Sequence, residues 1–466
     1  MHIKQPDSFK SLIYACENDN RIAYKTKTRS ISYDSFFKDV ISAQKYFSHG
    51  FFEQNIIIHA KPSYEWIVLF FGLQLAGKTT ILIDDTTSHE MLIEICNQYN
   101  TSTVIDDFNR NDCAVDISQQ ESICNNHTFD ISNKNQSNTH ISAVIFTSGT
   151  SDNKPKGVAL SEGGLLASAF YGHRAANVTG ADTLLHILPF HHAFGLAAEV
   201  IAPIMSKTPL CFGDKLATIF NDINHYKITA IYAVPQIING LLFCLTKKSL
   251  PTLKKITNGS APLSKETVES VLSHDLELHV SYGLSECSPC VAVSKPVNTF
   301  DEYYSGDILP CCDIEISSGG EICVFGTNIM IGYYDGSKIN RNNISDGLFH
   351  TGDTGYLKNN KLYVTGRLKD ILVFNNGKKF SKSFFEKEII KVTGAKECYV
   401  FSNEDRLNII LNKPKKELDI EKIIEVMPRG IKLGDIYEKP DALEKTRLKK
   451  VINSSKVQLS NCKKLN

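Results

Sequence analysis

The stretch Ala143-Val-Ile-Phe-Thr-Ser-Gly-Thr-Ser-Asp-Asn-Lys-Pro-Lys-Gly157 decides the reading of this chain, because a short apolar run breaks abruptly into hydroxyls, small residues and lysines. Ala143 to Phe146 reads as a buried strand. From Thr147 onward, small and hydroxyl residues let backbone N–H groups crowd around an anion, and Lys154 and Lys156 add positive charge. That is the make-up of a phosphate cradle. It is not a Walker loop: four residues separate Gly149 from Lys154, and Lys156 precedes its glycine instead of following it. Taken alone, the same string also reads as a solvated polar turn between strands.

Working outward, residues from about 50 to 300 alternate short apolar runs with amphipathic stretches. Segments 56–60, 79–84, 102–106, 143–149, 184–190, 230–234 and 276–282 read as buried strands, and 162–177, 199–205, 235–245 and 265–273 as helices. This βα alternation predicts parallel sheets covered by helices. Past residue 305, segments 312–317, 320–326 and 361–366 lie close together between Gly, Asp and Asn turns, the texture of antiparallel strands. From Gly366 a short α+β pattern begins, with strands at 371–374, 398–401 and 407–412 and a helix at 418–426. The expected fold is therefore α/β: a large N-terminal body of βα-layered sheets plus a small antiparallel, barrel-like part, and a small C-terminal α+β domain. The expected units are 1–365 and 366–466, and the polar segment 109–139 reads as a surface excursion. No internal repeat is visible.

Composition narrows the function. With 466 residues, 42 % of them hydrophobic, the chain can bury a sizeable core, which excludes disordered, collagenous and disulfide-miniprotein classes. Lys+Arg and Asp+Glu are 51 each, so the basic excess of a nucleic-acid or acidic-membrane binder is missing, and a small-molecule function is expected. The opening MHIKQPDSFK has no apolar run, so no secretory signal is expected. The most apolar stretch, 66–77, is shorter than the ~18 residues of a membrane span. Thirteen cysteines without a signal read as reduced thiols and place the chain in the cytoplasm.

Seven segments in this order and spacing resemble the adenylate-forming superfamily, which holds acyl-CoA synthetases, aryl-CoA ligases, adenylation domains and luciferases. They are the loop 147–157, LPFHHAFG (188–195), NGSAPL (258–263), YGLSE (282–286), HTGD (350–353), GRLKD (366–370) and LEKTRLKKV (443–451). Each string is weak alone; together they are specific and cover nearly the whole chain.

The resemblance implies a role for each segment. Thr147, Ser148, Gly149, Thr150, Ser151 and Lys156 would cradle the phosphates of ATP, with Thr150 and Glu286 holding Mg²⁺, a hard cation suited to oxygen ligands. Tyr282 would stack on adenine beside Gly283, Ser285 would contact the α-phosphate, and Gly259, Ser260 and Ala261 would line the adenine and acyl pockets. Asp353 would accept from both ribose hydroxyls, and Arg367 would bridge ribose and phosphate with its planar fork. Register picks His192 for the carboxylate side of the acid pocket, with a structural role open for His191. Ungapped alignment places the catalytic lysine at Lys450, with Lys449 a one-residue alternative, and the domain hinge at Lys369.

Three departures stand out. Asp152 occupies the usual glycine region of a loop one residue longer, Val373 stands where many members carry lysine, and Lys449 replaces a glycine. The wording Asn375-Asn-Gly-Lys378 resembles the fatty acyl branch. The implied activity is an ATP-dependent acid–thiol ligase acting on a fatty acid first and an aromatic acid second. Coenzyme A is the expected acceptor, and the phosphopantetheine of an acyl carrier protein the alternative. A nucleotide-binding protein without turnover is the reading from another class. Cys287-Ser-Pro-Cys290 is a CxxC, but the second pair, Cys311-Cys312, is adjacent rather than spaced, so no metal or redox role is expected of them; His89-Glu90 lacks the second histidine of a zincin helix.

Overall fold

The computed structural model describes residues 4–49, 52–106, 140–147, 156–213, 218–245, 249–374, 379–403, 406–412, 414, 418–427, 431–443, 458–459 and 462–465, and the backbone of 114–116. Two mixed sheets build the body. In the first, Ala230–Ala233, Lys255–Asn258 and Glu277–Gly283 run parallel, with Ile231, Ile256 and Leu278 in register. Their apolar side chains are buried on the helix-covered face, packed against Ile238 and Val268 of the following helices Pro235–Leu245 and Lys265–Ser273. Glu277–Gly283 is where direction changes: it pairs parallel with Lys255–Asn258 and antiparallel with Cys290–Val293. Beyond it lie Tyr304–Ile308, Lys361–Arg367, Leu348–Lys358, Glu321–Gly326 and Cys312–Ile316, all antiparallel. The expected barrel-like part is thus an open extension of this fourteen-stranded sheet. The strand path is linear, ending on Cys312–Ile316, so among the described residues nothing closes it.

The second sheet holds eight strands, and Ala143–Thr147 lies near its middle, parallel to Thr79–Leu82. On its other side it pairs antiparallel with Lys156–Leu160, Thr147 facing Lys156. The neighbour that follows Ala143–Thr147 in the sheet is thus the antiparallel strand Lys156–Leu160; residues 148–155 lie outside the described residues. The helix Glu162–Ala175 starts only after Lys156–Leu160, where Ser161 Oγ accepts from Gly164 N at 3.1 Å. Part of the expected surface excursion joins this sheet as the edge strand Ala114–Asp116; the rest of 109–139 lies outside the described residues.

The apolar stretch 66–77 forms most of the helix Tyr64–Leu75, whose Trp66, Phe70 and Phe71 are buried. It packs on a second helix the pattern did not reveal, Tyr33–His49, and their Phe36 and Phe71 rings meet edge-on at 6.1 Å. Among the described residues no helix is long and apolar enough to cross a membrane.

The expected strand at 184–190 stops at Leu185. The reason is Glu199, wholly buried, whose carboxylate accepts from Ile187 N at 3.2 Å, Leu188 N at 3.1 Å and pairs with His186 Nδ1 at 2.8 Å. A side chain thus takes the hydrogen bonds that a neighbouring strand would supply. Glu199 sits in a wide π-type turn, Leu196–Ile201, between the helical turn Ala193–Gly195 and Ala202–Ser206, so the helix expected at 199–205 begins earlier.

Toward the C-terminus, Ile371–Val373 and Lys379–Ser381 form a hairpin, and the helix Lys382–Thr393 covers a four-stranded sheet through Phe385 and Ile389. The expected helix at 418–426 is Ile420–Glu425. Lys361–Arg367 runs across position 365/366, with Arg367 opposite Asp353 in the ladder, and Leu368–Asp370 makes a single 3₁₀ turn after it.

Candidate active site

At the carboxyl ends of Lys255–Asn258 and Glu277–Gly283, where the first sheet changes direction, a cavity of about 650 Å³ opens. Its wall contains Thr147, Lys156, His192, Gly259, Ser260, Tyr282, Gly283, Ser285, Glu286, Arg367 and Lys369. Eleven positions singled out in the sequence thus meet around one space.

Local backbone rules explain the floor. Gly259 follows a strand end and faces Phe194; a Cβ there would lie 2.6 Å from the ring. Ser260 then takes φ +69°, a left-handed conformation that turns the chain away. Asn258 Nδ2 braces this turn by donating to the Ala261 carbonyl at 2.8 Å. Ala261 itself is exposed and does not line the cavity.

The Glu277–Gly283 strand delivers Tyr282, and the 3₁₀ turn Ser285–Cys287 delivers Glu286. Met330 N donates to the Glu286 carbonyl at 2.8 Å, fixing that turn. Glu286 Oε1 accepts from the Tyr333 hydroxyl at 2.8 Å, and Lys156 Nζ lies 5.2 Å from the centre of the Tyr333 ring. Burial and the neighbouring Glu286 push the Tyr333 hydroxyl pKa upward, so it stays a donor. Glu286 thus offers a hard oxygen ligand at the cavity wall, which fits a phosphate-bound Mg²⁺.

Asp353 lies just behind the wall, 5 % exposed, flanked by Thr351 and Gly352, which do line the cavity. Its oxygens accept from the Tyr282 hydroxyl at 2.8 Å and Arg367 Nε at 2.9 Å. Burial raises its pKa, and the Arg367 charge works against that.

Ser168, Gly172, Phe194, Ala197 and Tyr232, all uncharged, also line the cavity, together with His173. His173 is held from both sides, by the Tyr232 hydroxyl at Nδ1 (2.7 Å) and Ser206 Oγ at Nε2 (2.8 Å). Burial drives its pKa down to about 3, so the imidazole is neutral. Of the two adjacent histidines, His192 faces the cavity, whereas His191 lies outside it with Nε2 3.7 Å from Asp84 Oδ2.

Ser148, Gly149, Thr150, Ser151, Asp152, Lys449 and Lys450 lie outside the described residues. Residues to which pattern reading gave no role are Tyr333, Phe194, His173 and Tyr232; Phe194 lies within LPFHHAFG, and no local spacing distinguishes any of the four. The cysteines Cys287, Cys311 and Cys312 are buried in the main core.

A family model described as AMP-binding enzyme matches residues 14–334. The chain is 30 % identical over 275 residues to 2-succinylbenzoate–CoA ligase of Bacillus velezensis, covering 56 % of each chain. It is 26 % identical over 299 residues to long-chain-fatty-acid–CoA ligase ACSBG1 of Rattus norvegicus, covering 50 % of this chain and 41 % of that one. The matched regions thus span about half the length of these curated relatives. Among solved structures, o-succinylbenzoate CoA synthetase (MenE) of Bacillus subtilis in complex with the acyl-adenylate intermediate OSB-AMP superposes with TM-score 0.82 at 20 % identity, over 98 % of this chain and 99 % of that one. ATP-bound MatB of Rhodopseudomonas palustris gives 0.81 at 17 % identity, over 97 % and 98 %. These likenesses speak to the fold: an α/β body with a smaller C-terminal part.

Proposed function

The chain belongs to the AMP-binding enzyme family, and from that premise we propose that it is an ATP-dependent acid–thiol ligase. A substrate carboxylate oxygen attacks the α-phosphorus of ATP, pyrophosphate leaves, and an acyl-adenylate results. A thiol then attacks the acyl carbon, the acyl–oxygen bond breaks, and AMP leaves as the thioester forms. Two steps are needed because a carboxylate oxygen is a poor leaving group and AMP a good one.

The observation that carries this reading is the convergence of Tyr282, Ser285, Glu286, Arg367, Gly259 and His192 on one cavity. In it, Tyr282 and Gly259 bracket the adenine, and Asp353 and Arg367 take the ribose side. Ser285 meets the α-phosphate, and His192 sits on the acid side. Glu286, together with Thr150, would hold Mg²⁺, which when bound shields the phosphate charge that otherwise repels the attacking carboxylate. Lys450 would neutralise charge at the attacked phosphorus, carried by a mobile unit 366–466 that turns about Lys369 between the two steps. Lys369 lies in the 3₁₀ turn after Lys361–Arg367, a short link where few backbone torsions need change.

For the acid, a fatty acid leads, supported by the Asn375-Asn-Gly-Lys378 wording and the likeness to a long-chain-fatty-acid–CoA ligase. An aromatic acid is the second reading, favoured by the likeness to 2-succinylbenzoate–CoA ligase. Coenzyme A is the proposed acceptor, a carrier-protein phosphopantetheine the alternative, and the cytoplasm the proposed compartment. ATP–pyrophosphate exchange over a panel of fatty and aromatic acids tests the first step, and thioester analysis with coenzyme A or a carrier protein the second. Exchange with no acid on the panel, despite ATP binding, would instead mark a nucleotide-binding protein without turnover.

A further inference from the structure

The antiparallel strands Glu321–Gly326 and Leu348–Lys358 place Cys323 directly opposite His350. Side chains two apart on a strand share a face, so Glu321 stands beside Cys323, brought toward His350 by the irregularity between them. One ligand-type atom from each of the three lies within 4.8 Å of the others. Cys323 Sγ is 3.5 Å from His350 Nδ1, and that nitrogen is 3.0 Å from Glu321 Oε2.

The geometry points to a binding site for a zinc-class divalent cation formed by Glu321, Cys323 and His350. Bonds of about 2.3 Å to sulfur and about 2.0 Å to nitrogen turn the 3.5 Å sulfur–nitrogen separation into an angle near tetrahedral, and bonds of about 2.0 Å turn the 3.0 Å nitrogen–oxygen separation into a somewhat narrower one. The outer partners that such a site needs are in place. Ser345 Oγ lies 3.0 Å from His350 Nε2, and accepting its proton leaves Nδ1 with a lone pair for metal. Gly352 N donates to Glu321 Oε1 at 2.9 Å, leaving Oε2 to face the cation.

Cys323 is buried and the His350 side chain is 39 % exposed, so the cation enters past the imidazole. Thiolate plus imidazole selects the zinc class over the hard cations Mg²⁺ and Ca²⁺. Three protein ligands leave one position for water, the pattern of an exchangeable site. His350 directly precedes Thr351 and Gly352 of the cavity wall, so a bound cation stiffens the wall that carries Asp353. This inference stands apart from the ligase reading, because its readout is cation binding.

The full chain, stripped with a chelator, is titrated with Co²⁺ as a spectroscopic probe. The expected result is one equivalent with a thiolate-to-cobalt charge-transfer band and tetrahedral visible bands, displaced by Zn²⁺ and indifferent to Mg²⁺. Cys323→Ser and His350→Ala each abolish it, and Ser345→Ala weakens binding about 10-fold. Circular dichroism establishes that each variant is folded; if His350→Ala is not, Glu321→Gln takes its place. A missing charge-transfer band, or one that survives Cys323→Ser, overturns the site and leaves a hydrogen-bonded Glu321–His350 pair, with cobalt on other thiols.

Discussion

The Tyr282 hydroxyl donates to Asp353 Oδ2 at 2.8 Å across 71 residues of sequence, while Arg367 Nε holds the other oxygen at 2.9 Å. A carboxylate so clamped is aimed before any nucleotide arrives. Asp353→Asn keeps the shape but removes the charge and one acceptor. A hydrogen bond to a charged group contributes about 1.5–3 kcal/mol, so ATP affinity falls about 10- to 100-fold. Tyr282→Phe removes the clamp alone and costs about 1 kcal/mol of stability. Calorimetric ATP titration and thermal melts separate the two; unchanged affinity in Asp353→Asn would remove it from the ribose site.

Glu286 is held by Tyr333 at 2.8 Å, a contact 47 residues apart in sequence. Glu286→Gln retains an acceptor for that hydroxyl but loses the charge proposed to hold Mg²⁺. Pyrophosphate exchange drops at least about 100-fold, and the Mg²⁺ concentration for half-maximal rate rises. Tyr333→Phe gives the same direction with a smaller loss. An ordinary Mg²⁺ titration curve in Glu286→Gln would assign the cation elsewhere.

Lys450→Ala separates the half-reactions. The expected outcome is loss of adenylate formation, measured by pyrophosphate exchange, with thioester formation from presupplied acyl-AMP retained. Wild-type exchange in that variant, alongside loss in Lys449→Ala, would move the catalytic charge by one residue.

His173 gives the body an acid limit. Its pKa falls from 6.5 to about 3, chiefly by burial, with Lys255 adding and Asp182 opposing. A depressed folded-state pKa means the neutral ring's contribution is complete above 6.5 and is lost as pH falls toward 3. In that window stability drops by about 1.4 kcal/mol per pH unit. His173→Gln, which hydrogen-bonds but does not titrate, flattens the slope. Denaturant melts between about pH 7 and about pH 5 measure it, and equal slopes in both proteins contradict the assignment.

Much of the site was legible because its chemistry is written in short strings. Tyr282 near the end of one strand and Ser285 and Glu286 in the turn that follows it are sequence neighbours, and their order survives folding unchanged. The partners were not legible. Tyr333 stands in a plain Gly-Tyr-Tyr strand, and only the pairing of Gly332–Tyr334 with Lys156–Leu160 brings it to Glu286. Glu199 read as a polar residue of an amphipathic helix, yet it is buried and ends the strand Leu184–Leu185 by bonding to His186 and its neighbours.

Local pattern therefore pointed to the α/β class and the alternation of strands and helices, and the resemblance carried by short strings named the candidate site residues. These depend on side-chain type and on periods of two or about 3.6 residues. Strand order belonged to the tertiary structure: an open antiparallel extension in place of a barrel, the antiparallel pairing of Ala143–Thr147 with Lys156–Leu160, and the meeting of Tyr282 with Asp353. Which distant strands become neighbours is set by the joint burial of many apolar faces, and no window of sequence contains that sum.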